Sequence, residues 1–203
     1  MFCDVNDEKS NQLFIFLDDY SISERVYTHD EAIELQEALS NQGFFVDETI
    51  AQAISQLNKK GYTTSFCCGG HLLKDRQPIP VKEKKDILDF LPKRKEHLIP
   101  KNGYIKIAED EKSISFLYEG VCSGSYITFA EEVEIDSIPE GFYLDSDNSN
   151  TTIRANVDCC IDDDNGTRFI SDDEARERLR QISENLHSWV DTLPYKRTIS
   201  VKK

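Results

Sequence analysis

Cys67-Cys68-Gly69-Gly70-His71 is the densest cluster of reactive side chains in the 203-residue sequence. It follows Tyr62-Thr63-Thr64-Ser65-Phe66, a β-branched and aromatic run that reads as a strand, so thiol, imidazole and paired glycines fall in the loop just past a strand end. Three chemistries suit these residue types. Cys68 and His71 suit zinc, with further ligands from Cys159, Cys160 or Cys122 on later strands. A Cys68 thiolate activated by His71, or by another histidine that the fold brings in, suits nucleophilic attack on carbon or phosphorus. The Gly69 and Gly70 amides, with Lys74 or Arg76 nearby, suit an anion nest. Because successive strand side chains point to opposite faces, only one member of each vicinal pair, Cys67/Cys68 or Cys159/Cys160, can face a shared site.

Spacing narrows these options. A phosphatase-type loop places Arg six positions beyond its Cys, where this chain has Lys74, and Arg76 falls two residues too late. No pair of C-x-x-C motifs is present, which removes the zinc-ribbon modules. Asp162-Asp163-Asp164-Asn165-Gly166 has the acidity of a calcium loop, but with Gly166 in sixth place Ile161 replaces the first carboxylate and Asp172 the final Glu. Asn165-Gly166 between Ile161 and Phe169 reads instead as a type I′ hairpin turn. Cys67 also has a purely structural reading, as a small buried apolar residue. His29, His97 and His187 stand alone and receive no role.

The elements that must position this segment follow from periodicity. Leu13 to Leu17 is a short apolar run that suits a buried strand, and Thr28 with Glu31 has the spacing of a capping box opening a helix whose Ala32, Leu35 and Leu39 form a stripe. A second helix carries Ile50, Ile54 and Leu57 on one face, with Asp47 expected as its cap, Lys59 and Lys60 in its last turn and Gly61 as its stop. Beyond Gly103, five short strand candidates suggest an antiparallel meander: 104–108, 114–118, 126–129, 141–144 and 151–158. Ser171 and Glu174 open a long helix striped by Leu179, Ile182, Leu186, Trp189, Val190 and Leu193. The expected fold class is α+β, a largely antiparallel sheet covered by helices that include a long C-terminal one. A single domain over 1–203 is expected, with 72–102 as a charged excursion or lid punctuated by Pro78, Pro80, Pro92 and Pro100 and holding a short helix around Ile87, Leu88 and Leu91.

Charge is unevenly spread. The net charge is −14, yet from Leu72 to Asn102 nine Lys/Arg against five Asp/Glu leave +4, so the remainder carries −18. Such an acidic surface argues against direct nucleic-acid binding and favours a basic protein partner. No run approaches the roughly 18 apolar residues of a membrane span, and Met1 to Glu8 lacks the basic start and apolar run of a secretory signal. A cytoplasmic location is the expectation, in which the six cysteines are thiols, metal ligands or core residues rather than disulfides.

The stretch from Asp47 through Ile54, Leu57-Asn58 and Lys60-Gly61-Tyr62-Thr63 to Cys67-Cys68-Gly69-Gly70-His71 resembles small uncharacterised proteins of Gram-positive bacteria and their phages, which carry a Gly-Tyr-x-Thr segment ending in Cys-x-Gly-His. Here Cys68, Gly70 and His71 match that ending, and the likeness covers about an eighth of the chain. It implies a phage or mobile-element origin and transfers no activity. Two functions are therefore carried forward. One is an acidic regulatory or inhibitory protein that occupies a basic surface of a host partner. The other is a small enzyme or ligand sensor centred on Cys68 and His71 that acts on an anionic substrate.

Overall fold

A computed structural model of the chain describes residues 10–72, 79–80, 103–107, 113–118, 122–145, 150–158, 160–163 and 166–196. The fold is α+β, with antiparallel sheets and a long C-terminal helix. Two compact units divide the chain: one draws on Lys9–Gly70, Gly124–Asn156 and Leu179–Lys203, and the other on Met1–Glu8, His71–Ser123 and Val157–Arg178. The short helix expected around Ile87 lies outside the described residues.

The first of these units begins with β1 (Gln12–Phe16), the centre of a three-stranded sheet between β2 (Ile22–Tyr27) and β3 (Gly43–Asp47). The apolar run at 13–17 is thus a strand, as expected, but β2 pairs with it as a hairpin before the expected helix begins. No side chain of β2 is fully buried, and Glu24, Arg25 and Val26 are exposed. Helix α1 (His29–Leu39) opens on the expected box, in which the Thr28 side chain accepts from the Glu31 amide and the Glu31 carboxylate accepts from the Thr28 amide. That bond, with smaller help from Arg25, holds the Glu31 carboxyl below its ordinary pKa. Helix α2 (Ala51–Lys59) buries Ile54 and Leu57, and Gly61 ends it at φ +89°, a conformation suited to glycine. Asp47 does not cap α2. The residue preceding the helix is Ile50, which makes no side-chain cap bond, while the Asp47 side chain turns to other donors.

After α2 comes β4 (Thr64–Cys68), at the edge of a second sheet. That sheet continues through β8 (Ser125–Phe129) and β10 (Thr152–Ala155) to β9 (Tyr143–Asp145), all antiparallel. The order 4-8-10-9 is not a simple meander, since β8 pairs with β10 rather than with its sequence neighbour β9. Helix α3 (Asp172–Thr192) opens on the Ser171/Glu174 box and buries Leu186, Trp189 and Val190 against Ile54, Leu57, Ile127, Phe129 and Ile153. The Trp189 indole N–H donates to the Ser137 carbonyl at 2.7 Å, which satisfies the one polar atom of a core residue.

The other unit contains a sheet in which β7 (Ser113–Tyr118) lies between β5 (Ile79–Pro80) and β6 (Gly103–Ile107). It also contains the hairpin of β11 (Cys160–Asp163) and β12 (Gly166–Phe169). That hairpin is as expected, but Gly166 pairs with Asp163 inside the ladder, so the connection is one residue earlier than Asn165-Gly166. Leu72 bridges Cys122 and packs with Ile170 and Ala175. Among the described residues no helix is long and apolar enough to cross a membrane.

Lys60, read from sequence as a favourable charge at the end of its own helix, has a longer-range role. Its ammonium donates to the carbonyls of Val190, Asp191 and Leu193 at 2.6, 2.9 and 2.8 Å, closing the C-terminal turn of α3 where the helix dipole is negative. Lys60→Met keeps the stem and removes all three bonds. The expected loss is about 1–3 kcal/mol, read as a lower urea midpoint with unchanged m-value.

Candidate metal centre

The register of β4 on β8 decides which way each cysteine points. Cys67 lies opposite Ile127 and Cys68 opposite Tyr126, and Ile127 is buried while Tyr126 is only partly so. Cys67 accordingly packs against the core, and its thiol is pushed up to about 12, first by burial and then by the nearby Asp47 and Cys68. Cys68, on the opposite face, is half-buried, and its sulfur accepts the Gly70 amide at 3.4 Å. The Ser125 hydroxyl donates to the Cys68 carbonyl at 2.9 Å and fixes the strand end.

Asp47, the last residue of β3, is buried at 7% exposure. One carboxylate oxygen accepts Ser10 Oγ at 2.9 Å and, weakly, Gln12 Nε2 at 3.5 Å; the other accepts the Gly69 amide at 2.7 Å. These donors orient a carboxylate that lies beside the Cys68 segment. The ligand atoms of Asp47, Cys68 and His71 all lie within 4.8 Å of one another. Two glycines alone separate Cys68 from His71, so the local chain sets that proximity. His71 is held through its backbone, its amide donating to Ser123 Oγ at 2.9 Å and its carbonyl accepting the Ser123 amide at 2.8 Å.

A second layer supports the turn after Asp47. Ser183 Oγ donates to the Thr49 carbonyl at 2.6 Å, and His187 Nε2 meets the same oxygen at 3.0 Å. Thr49 in turn crowds Gly69: a Cβ there would stand 2.4 Å from Thr49 Oγ1 and 3.3 Å from Asp47 Cβ. Glycine is therefore required at 69 for close approach.

Of the residues expected to act together, Cys68 and His71 do meet. Cys122 is not in the group; it is half-buried beside Leu72, Ile170 and Ala175. Cys160 starts β11, while Cys159, Lys74 and Arg76 fall outside the described residues. The Gly69 and Gly70 amides, expected to cradle an anion, donate instead to Asp47 and Cys68. The member that sequence reasoning missed is Asp47. An acid just before a helix reads most simply as a cap, and no local spacing joins position 47 to position 68.

The chain was compared with protein-family models, curated proteins and solved structures, and it matches none of them.

Gly69→Ala is expected to destabilise the fold by about 1–3 kcal/mol through overpacking, measured by denaturant titration. A second expectation concerns the thiols. Because the raised pKa keeps Cys67 protonated across the neutral range, its thiolate appears only as pH climbs toward about 12. Iodoacetamide at pH 8 should leave Cys67 unlabelled in the native protein and label it after unfolding, as read by peptide mass spectrometry. Rapid native labelling at pH 8 would contradict the raised pKa.

Proposed function

We propose that this chain is a zinc-binding protein in which the Asp47 carboxylate, the Cys68 thiolate and the His71 imidazole are the protein ligands. The observation that carries this reading is their convergence within 4.8 Å. Thiolate and imidazole favour zinc over magnesium and calcium, and a carboxylate completes a mixed set that zinc accepts. The bonds from Ser10, Gln12 and Gly69 to Asp47 act as the outer partners that orient a metal-binding carboxylate. Three protein ligands leave one position of a tetrahedral ion for water or an anionic ligand, the arrangement of hydrolytic sites. This reading favours a small enzyme or sensor for an anionic ligand.

The experiment is metal analysis of protein purified without an affinity tag, together with thermal unfolding with and without zinc. The wild type is expected to hold about one zinc per chain. With zinc a thousandfold above Kd, binding should add ~4 kcal/mol to stability, a gain that a chelator removes. Cys68→Ser and His71→Ala should each abolish stoichiometric binding and most of the zinc-dependent shift, whereas Lys60→Met should keep both. Cobalt substitution tests the fourth position: charge-transfer intensity of one thiolate supports the open site, and that of two assigns a second cysteine and a closed structural site. Zinc that survives both ligand substitutions, or a wild type without zinc, sinks the proposal.

A further inference from the structure

The sheet face that offers Cys68 continues beyond it. Residues directly opposite one another in an antiparallel ladder share a face, and the pairs Cys68 with Tyr126, Tyr126 with Arg154 and Arg154 with Tyr143 form one row across β4, β8, β10 and β9. The row lies within a single compact unit. Cys68 and Arg154 stand two strand spacings apart, about 10 Å.

Arg154 is held in place by one edge of its guanidinium fork. Asp145 Oδ2 accepts both Nε and Nη2 at 3.0 Å, and the guanidinium carbon lies 5.3 Å over the centre of the Tyr126 ring, so an ion pair and an aromatic face together orient the group. The other edge, Nη1 with the second Nη2 hydrogen, has no acceptor among the described residues, and the side chain keeps 37% exposure. Beside it the Tyr143 phenol accepts Asn156 Nδ2 at 3.0 Å, which leaves its own proton to donate. A preset guanidinium edge matches a planar carboxylate, to which it gives two parallel bonds. We propose that the zinc centre and this row form one site for an elongated ligand, one end of which fills the open position on the metal while a carboxylate at the other end docks on Arg154 and Tyr143. The proposal rests on the zinc reading and specifies how its anionic ligand is gripped.

The test is isothermal titration calorimetry of the zinc-loaded full chain, its zinc content measured on the same sample. The probes are linear hydroxamic acids with chains of four, six or eight carbons, in which the hydroxamate binds the metal and the far end is either a carboxylate or a methyl group. At one chain length the carboxylate should raise affinity at least about tenfold over the methyl end, and the other lengths should gain less. Arg154→Lys keeps a cation for Asp145 and loses the fork, so it should remove most of that gain. Tyr143→Phe loses only the hydroxyl and should reduce the gain about fivefold. Both variants should keep their zinc and their affinity for the methyl-ended chains, and circular dichroism checks that they fold. A carboxylate that adds nothing at any length, or whose gain survives Arg154→Lys, overturns the proposal and leaves the zinc reading standing. Equal gain at all three lengths also overturns it, since charge attraction without a fixed span would then suffice. A wild type without zinc overturns both readings, and the metal analysis tells that outcome from the others.

Discussion

The bond from the Gly69 amide to the Asp47 carboxylate joins two strands that share no ladder, and the candidate centre is built around it. Burying a carboxylate is unfavourable unless donors surround it. Asp47 has Ser10, Gln12 and Gly69, which come from the chain before β1, from β1 itself and from the turn after β4. Loss of the carboxylate would leave the buried Gly69 amide without this acceptor at the point where the three-stranded sheet meets the four-stranded one. The position of Cys68 follows, because the same turn carries the Gly70 amide to its sulfur.

Thr49 extends this constraint to the C-terminal helix. Its carbonyl is gripped by Ser183 and His187, and its hydroxyl closes on the space where a Gly69 side chain would be. Residues near 48, 69 and 185 thus share one packing problem despite their separation in sequence. Helix α3 is in turn closed at its far end by Lys60 from the end of α2. Asp47 and Cys68 therefore stand at the ends of strands whose neighbours bury the core of their unit.

Elements whose signals are local were legible in the sequence. The reciprocal boxes at Thr28/Glu31 and Ser171/Glu174, the Gly61 stop and the stripe through Leu186 and Val190 each depend on residues a few positions apart. β2 was not legible because Ile22–Tyr27 has no fully buried side chain and carries Glu24 and Arg25 in succession, so no period-two pattern marks it. β3 was hidden by Gly43, which reads as a helix stop although a side chain there would strike the Ile15 carbonyl at 2.1 Å. The strand order 4-8-10-9 and the place of Asp47 beside Cys68 depend on long-range pairing, which composition and spacing do not encode.

The roles of the two adjacent cysteines turn on a single irregularity. Thr64 lies opposite Phe129, but Phe66 lies opposite Thr128, so Ser65 is the extra residue of a β-bulge. Beyond it, Cys67 falls opposite the buried Ile127, and Phe66 and Cys68 fall on the other face with Thr128 and Tyr126. Without the bulge the parity would reverse: Phe66 would meet Ile127 in the core, Cys67 would face outward, and Cys68 would turn inward opposite Ser125. Alternation along the strand predicts that the two thiols take opposite faces, but it leaves open which of them packs against the core. The bulge makes that assignment, and in the same step it carries Phe66 out of the core to an exposed position.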